Sequence, residues 1–373
     1  MSEFSAFDRE AMTRALQWAA LGARSTQPNP RVGCVIARDG QIVGAGWHRR
    51  AGGPHAEVFA LREAGDAARG ATAYVTLEPC NHHGRTPPCT EALIAAGVTR
   101  VVYANGDPNP QVDGSGARRL QQAGIVVQTG LMAQEGEELN VGFFARMRRR
   151  RPWLRLKLAA SLDGRTALAS GESRWISSPE ARADVHAFRA ASAAILSTSA
   201  TVLADDPQLD ARPQDAAREA TEGDAPRHPL RVLLDAHLRI PTQARVFATP
   251  GEIVLLALDS AVPPQHLAQG VQVQRVSAGA DGRLSLSAAL AWMAGAGLNE
   301  IWTEAGATLA GALLNQDLVD EVVLYLAPCF LGTDARPLAR LPALARLADA
   351  RRLQVHDVGR IGPDVRIMLR LGG

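Results

Sequence analysis

Pro54-His55-Ala56-Glu57, then Thr76-Leu77-Glu78-Pro79-Cys80, then Thr86-Pro87-Pro88-Cys89 are the three pieces that set the architecture of the first half of this chain. One histidine and two cysteines offer three soft or borderline ligands. They leave the fourth tetrahedral position to water, the mark of a catalytic rather than a structural zinc. His55 and Cys89 fall at predicted helix starts and Cys80 closes a predicted strand, so free N–H groups and the helix dipole favour thiolates there. Glu57, two residues beyond His55, is placed to shuttle protons without being a ligand. Zinc lowers the pKa of its water toward ~7, which makes hydroxide available at neutral pH. A structural site would need a fourth protein ligand, for which only His82 or His83 is placed.

The flanking pattern alternates helix and strand. Asp8–Ala23 carries Met12, Ala15, Leu16, Ala19 and Ala20 at helical spacing. Val32–Ala37 and Gln41–Trp47 flank Asp39-Gly40, a hairpin signal. Pro54 opens a helix to about Glu63, Thr72–Leu77 is a strand, Thr90–Ala96 a helix and Arg100–Ala104 a strand. A helix near Gly116–Ala123 and a strand at Ile125–Thr129 follow. This rhythm predicts a mixed or parallel sheet with helices on both faces.

The basic run Arg146-Met147-Arg148-Arg149-Arg150-Arg151-Pro152 reads as a solvated linker, after which the pattern restarts. Strands are expected at Trp153–Ala159, Ala194–Ser197, Arg231–Asp235, Ile253–Leu258, Glu300–Thr303, Glu321–Ala327 and Val365–Leu371. Helices are expected at Pro179–Ala191, Ser287–Ala294 and Leu309–Gln316, with an exposed loop over Arg212–His228. The reading is two α/β domains, 1–147 and 148–373. The second half has no Gly-x-Gly-x-x-Gly after a strand and no Walker motif. It does have Lys157-Leu158-Ala159-Ala160-Ser161-Leu162-Asp163-Gly164-Arg165, a strand running into a tight turn. It also has Thr303-Glu304-Ala305-Gly306-Ala307-Thr308-Leu309-Ala310-Gly311, a strand, glycine turn and helix start where N–H groups can hold phosphate.

Composition narrows the function classes. The 373 residues carry 40 Lys+Arg against 38 Asp+Glu, a net charge of +2, which gives no electrostatic case for nucleic acid as the main partner. Apolar residues make up 46%, too many for a disordered chain. No uncharged apolar run reaches the ~18 residues of a membrane span, and Met1–Arg9 has no signal-peptide core. Four cysteines in such a length do not make a disulfide framework. Cys34 and Cys329 read as packing residues in strand-like segments, and the setting expected is cytoplasmic. Lys157 is the only lysine, the other 39 basic residues being arginines.

The His-x-Glu, Pro-Cys and Cys order resembles the zinc deaminases acting on nucleobases. Their two cysteines are separated by two residues; here eight intervene, Asn81-His82-His83-Gly84-Arg85-Thr86-Pro87-Pro88. In that longer form the segment resembles the deaminase of riboflavin biosynthesis. That likeness implies a diaminopyrimidinone substrate carrying ribose 5-phosphate, with Asn29, His48, His82, Arg85, Asp107 and Asn109 lining its pocket. Asn29 and Asn109 also suit plain turns beside proline, and Arg85 suits a phosphate dianion.

The later segments, with Thr198–Pro207, resemble the reductase domain of the same pathway. Together the two sets cover most of the chain, and the resemblance is to the bifunctional deaminase–reductase family. It implies a cytidine-deaminase-like α/β/α domain followed by a dihydrofolate-reductase-like α/β domain, one zinc on His55, Cys80 and Cys89, and NADPH as reductant. NADPH contacts are implied at Ala159, Trp175, Thr201, Asp205 and the turn Gly306, Ala307, Thr308, Leu309, Ala310 and Gly311. Substrate contacts are implied at Ser173, Arg189, Leu209, Arg212 and Glu304. Arg189 and Arg212 suit the phosphate, or are solvated charges.

The implied second reaction turns a ribosylamino group into a ribitylamino chain: hydride reaches C1′ and a proton reaches O4′. Lys157 and Glu304 are the titratable candidates, with acid catalysis and binding both open for Lys157, since lysine can give a proton near neutrality and arginine cannot. The partner expected is the small phosphorylated pyrimidine, with no nucleic acid and no membrane, in a homo-oligomer, dimer or tetramer. Two other readings are a tRNA or nucleobase deaminase with an accessory domain, and a zinc-stabilised nucleotide-binding protein without turnover.

Overall fold

The computed structural model describes residues 4–82, 87–109, 112, 114–212, 227–263 and 266–371. The backbone divides into two compact units, Met1–Arg150 and Arg151–Gly373.

The first unit runs α1 (Ala6–Ala20), β1 (Gly33–Arg38), β2 (Gln41–Trp47), α2 (Ala56–Ala64), β3 (Thr72–Leu77), α3 (Cys89–Ala95), β4 (Arg100–Asn105), α4 (Ser115–Gln122), β5 (Val126–Thr129), α5 (Ala133–Leu139) and α6 (Val141–Arg149). The sheet order is β2-β1-β3-β4-β5. β1 is antiparallel to β2 and β3, whereas β3, β4 and β5 are parallel. Both faces are covered, as the alternation along β1 requires. Cys34 and Ile36 join Ala56, Ala60 and Leu93 in one core, while Val35 and Ala37 join Ala11, Met12 and Ala15 in the other. The β1–β2 turn places Asp39 and Gly40 at φ 51° and 75°, the left-handed pair that matches strand twist.

α1 begins two residues before the expected Asp8, because Ser5 and Asp8 form a reciprocal capping box. Asp8 is buried and also accepts from the Tyr74 hydroxyl at 2.6 Å and the Arg100 guanidinium at 2.6 Å. Burial would raise its pKa, but Arg100, Tyr74 and Ser5 together hold it well below the usual carboxylate range. Asp8→Asn should therefore destabilise the first unit by about 2 kcal/mol, the scale for losing a charged hydrogen-bond acceptor. A carboxylate whose folded pKa is lowered stabilises above its unfolded pKa and loses that contribution as pH falls. The gap between the melting temperatures of wild type and variant should thus shrink once the pH falls below the ordinary aspartate value of 3.8, as thermal melts at about pH 7 and about pH 2.5 would measure.

Two expectations fail here. The run from Arg146 is a linker only at its end: Arg146, Arg148 and Arg149 form the last turn of α6, where cations complement the helix C-terminus, and the two units divide after Arg150. Arg148 donates to Glu137 at 2.5 Å and lies over the Phe144 ring.

The second unit runs β6 (Trp153–Ser161), β7 (Arg165–Ala167), α7 (Pro179–Ala191), β8 (Ala194–Thr198), α8 (Ser199–Asp205), β9 (Leu230–Leu234), β10 (Ile253–Leu258), β11 (Val271–Val276), α9 (Leu286–Gly295), β12 (Glu300–Glu304), α10 (Ala307–Asn315), β13 (Glu321–Ala327), β14 (Arg336–Pro337), β15 (Leu353–Ile361) and β16 (Asp364–Leu371). Its main sheet has the order β11-β10-β9-β8-β12-β6-β13-β16-β15. It is parallel from β11 to β13 and antiparallel at β16 and β15. Alternate residues feed two cores: Leu154, Leu156, Ala194, Leu196 and Ile301 face α9 and α10, and Ile195, Trp302, Val323 and Tyr325 face α7.

The other failed expectation is Cys329, which lies beyond β13 and is half-buried; Pro328, lacking an N–H, cannot extend the ladder. Cys34 is fully buried as expected. Most of the expected loop over Arg212–His228 lies outside the described residues. Among those residues, no helix is long and apolar enough to cross a membrane.

Candidate functional site

The first site gathers at the ends of β3, α2 and α3. His55 is the N-cap of α2 and Cys89 the first residue of α3, so both hold backbone angles fixed by a helix start. Cys80 follows β3, locked by the Thr90 amide donating to its carbonyl at 3.2 Å. His55 Nδ1 lies 3.1 Å from Cys89 Sγ and 3.5 Å from Cys80 Sγ, and the Cys89 amide donates to Cys80 Sγ at 3.4 Å. The three ligand atoms lie within 4.8 Å of one another. That separation fits zinc, whose bonds of roughly 2.0 Å to nitrogen and 2.3 Å to sulfur set ligand atoms about 3.5 Å apart. The Cys80 thiol is lowered to about 4, chiefly by its hydrogen bond with Cys89 and then by His55. His55 is raised to about 9 by Cys80. The Cys89 thiol is pushed up instead, by its hydrogen bond with Cys80 and by burial; a zinc held here would take both sulfurs as thiolates and His55 as neutral imidazole.

Glu57, in the first turn of α2, is 3% exposed, and its Oε2 has no hydrogen-bond partner in the protein. An orphan carboxylate oxygen this deep is costly unless a ligand proton meets it. Burial raises its pKa against the opposing pull of His55.

Asn29 and His48 are brought to the same place. Asn29 Nδ2 is 3.0 Å from His48 Nε2, His48 Nδ1 is 3.0 Å from the Pro54 carbonyl, and the His48 ring meets the His55 ring edge to face at 5.4 Å. Burial keeps His48 below its usual pKa, so Nδ1–H donates to Pro54 and Nε2 accepts from Asn29. Asp107 sits close enough to Cys80 and His82 to feel their charge. Burial first, then Glu78 and Cys80, push it up to about 6 against the Asn109 amide and His82. Asn109 donates its amide to Asp107 Oδ1 at 2.8 Å. His82 is exposed. Arg85 lies outside the described residues.

The second site is a cavity of about 1760 Å³ at the carboxyl ends of the parallel strands, where open α/β sheets take their ligands. Lys157 and Ala159 on β6, Glu304 at the end of β12, Arg189 on α7, and Thr201 and Asp205 on α8 all line it. So do Ser173, Trp175, Leu209, Arg212, Gly306, Ala307, Thr308 and Leu309. Ala310 and Gly311 do not. They are buried inside α10, and a side chain on Gly311 would stand 2.0 Å from the Arg340 carbonyl. Gly311 serves close helix-to-loop packing. Gly306 caps α10 without a side-chain hydrogen bond, so free amides face the cavity where a diphosphate would fit. Volume and amides together fit NADPH.

Glu304 is locked. Arg189 grips it through Nε at 2.5 Å and Nη2 at 2.8 Å, Trp302 Nε1 donates at 2.7 Å, and β12 pairs Glu304 directly with Lys157. Burial would raise its pKa, but Arg189, Lys157 and Trp302 bring it to about 2. Burial lowers Lys157, Glu304 pulls it back up, and Arg189 adds to the lowering. Arg189 also donates to the Asp210 carbonyl at 2.8 Å, so it is engaged on three sides. Arg212 is 64% exposed and meets only the Asp210 carboxylate among its ion pairs described.

Sequence reasoning missed Trp302, Asp210 and His186. The last accepts the Arg212 amide through Nδ1 at 3.2 Å and lines the cavity. His186 was findable, since it stands three residues before Arg189 on one helix face.

Residues 152–367 match the RibD C-terminal domain family. Residues 5–105 match the cytidine and deoxycytidylate deaminase zinc-binding region, which contains the metal cluster. The riboflavin biosynthesis protein RibD of Escherichia coli is 52% identical over 97% of this chain and 99% of its own length. That of Haemophilus influenzae is 46% identical over 98% of each. Among solved structures, Acinetobacter baumannii RibD superposes with a TM-score of 0.90 at 42% identity, covering 98% of this chain and 99% of that one. A Thermotoga maritima protein described as a diaminohydroxyphosphoribosylaminopyrimidine deaminase/5-amino-6-(5-phosphoribosylamino)uracil reductase gives 0.84 at 30%, with the same coverage. A tRNA deaminase with an accessory domain is not favoured by a reductase match of this extent. The chain belongs to the RibD family, the bifunctional enzymes of riboflavin biosynthesis that join a zinc-dependent deaminase to an NADPH-dependent reductase.

Proposed function

We propose that the chain hydrolyses the 2-amino group of 2,5-diamino-6-(5-phosphoribosylamino)pyrimidin-4(3H)-one in its first domain, 1–147, and reduces the resulting uracil's ribosyl group in its second, 148–373. The observation that carries this reading is the His55–Cys80–Cys89 cluster with the unpartnered Glu57 oxygen beside it. The Thermotoga relative's description supplies the substrate.

When bound, zinc supplies an activated water and NADPH a hydride. Glu57 moves two protons in turn, the first from the attacking water to a ring nitrogen beside C2, the second from the new C2 hydroxyl to the leaving amine. Asn29, with one N–H spent on His48, turns its carbonyl oxygen and second N–H toward the ring. Asp107, Asn109 and His82 hold the same molecule, and Arg85 its phosphate.

In the second domain Glu304 stays ionised near neutral pH, so it binds and orients sugar hydroxyls instead of giving a proton. Lys157 is the proton donor, adding to O4′ as C1′ accepts hydride and the sugar ring opens. Arg189 holds Glu304, and the freer Arg212 takes the phosphate, with Ser173 and Leu209 beside it. Ala159, Trp175, Thr201, Asp205 and the residues from Gly306 to Leu309 contact NADPH, Ala310 and Gly311 acting only through packing. By the family resemblance we place the enzyme in the cytoplasm as a homodimer or homotetramer.

The test supplies the diaminopyrimidinone phosphate and follows ammonia and NADPH together. Chelating the zinc should stop ammonia release while leaving NADPH oxidation on pre-deaminated substrate intact, and zinc should restore the first. Loss of both rates in a protein that remains folded would overturn the separation of sites.

A further inference from the structure

Glu78 belongs to the segment that ends in Cys80, yet neither reaction uses it. It is 4% exposed. Its carboxylate is spent on backbone: Oε2 accepts from the Gly114 amide at 3.2 Å and Oε1 from the Ala117 amide at 3.1 Å. These are orphan N–H groups at the start of α4, whose own cap, Gly114, brings no side chain. Glu78, just past the end of β3, therefore caps the start of α4 from outside the helix, with its charge stabilised by the positive end of that helix.

The main chain of Glu78 holds the other side of the same connection, its amide donating to the Asn105 carbonyl at 2.9 Å. Asn105 ends β4 and Gly114 precedes α4. A single residue, two positions from a metal ligand, thus fastens both ends of the segment carrying Asp107 and Asn109. Docking is close here: a side chain on Gly116 would lie 2.0 Å from the Pro79 carbonyl and 3.2 Å from Glu78 Oε1.

We propose that Glu78 is a positioning residue of the deaminase, setting the Asp107–Asn109 segment against the metal centre by clasping both of its ends. The inference rests on the reading of Asp107 and Asn109 as substrate contacts. A glutamine keeps the shape of Glu78 but turns an N–H against one of the two amides, so one of the two hydrogen bonds at the α4 end of the clasp is lost while the main-chain bond to Asn105 stays.

The experiment compares Glu78→Gln, Asn109→Ala and the double variant in the full-length zinc-loaded enzyme, measuring KM and kcat for ammonia release, zinc content, and NADPH oxidation. Expected for Glu78→Gln is a KM raised roughly tenfold or more, the scale of a lost charge-assisted hydrogen bond. Zinc content and NADPH oxidation should be unchanged, and the double variant should be no worse than Asn109→Ala alone. Glu78→Asp, with the charge retained on a shorter arm, should move KM the same way by less, and serves if the glutamine variant does not fold. If Asn109→Ala raises KM while both Glu78 variants leave it untouched, or if the two effects multiply, the positioning role is wrong. If Asn109→Ala and Asp107→Asn both leave KM at the wild-type value, the substrate-contact reading fails and takes the positioning role with it.

Discussion

Glu57→Gln is expected to cut ammonia release by roughly 10²- to 10⁴-fold, the range for removing a positioned general acid–base, with zinc content and NADPH oxidation unchanged. The selectivity follows from where the residue stands. Glu57 occupies the first turn of α2 with its backbone fixed by the helix, and glutamine fills the same volume. The three ligand atoms come from His55, Cys80 and Cys89, so the metal does not depend on it. What glutamine cannot do is carry a proton. The carboxylate is suited to that work because burial raises its pKa toward the working pH, and because Oε2 has no protein partner to compete for the proton. A second consequence is thermodynamic: the amide should leave the first unit as stable as the wild type or more so, since the buried charge is gone. A variant that loses zinc along with activity, or retains more than a tenth of the deaminase rate, would contradict the assignment.

The parts of this architecture legible in the sequence are those where one residue type has one physical use. His55, Glu57, Cys80 and Cys89 were readable because ligand chemistry and helix starts coincide in a short span. Asp39-Gly40 was readable because a two-residue hairpin demands left-handed backbone angles, which both adopt. Strands with alternating faces, such as the one holding Cys34 to Ala37, betray themselves by period.

β15 did not, and the reason is its place at the sheet edge. Most of its residues are exposed, and Gln354, His356, Asp357 and Arg360 interrupt any apolar pattern. α6 was hidden differently, because a cationic last turn looks like a linker until the preceding Phe143 and Phe144 are seen buried. The clasp at Glu78 and the grip of Arg189 on Glu304 join residues 36 to 115 positions apart. Neither spacing carries a local signal. Arg189 shows what such pairing changes: from the sequence it was a solvated charge or, by resemblance, a cation for phosphate, and in the fold it is the group that fixes a carboxylate.

Lys157→Met is expected to lower the reductase kcat by roughly 10²- to 10⁴-fold without altering ammonia release, and Lys157→Arg is expected not to restore it. What decides the outcome is which titratable group at C1′ can give up a proton. Glu304 is held to about 2 by Arg189, Lys157 and Trp302, so near neutrality it has none to give. Lys157 has one, and burial with the help of Arg189 brings its pKa below the ordinary lysine value of 10.5. Its lowered pKa eases donation, while the paired Glu304 keeps the ammonium populated. Arginine would keep the charge beside Glu304 but hold its proton at any working pH, which separates donation from binding. The pH profile supplies the sign: the acid must be protonated to act, so kcat should fall as pH rises through the lowered lysine pKa, with the inflection below 10.5. If Lys157→Arg recovers most of the rate with the alkaline limb intact, the ammonium serves as a fixed charge, and O4′ takes its proton from water.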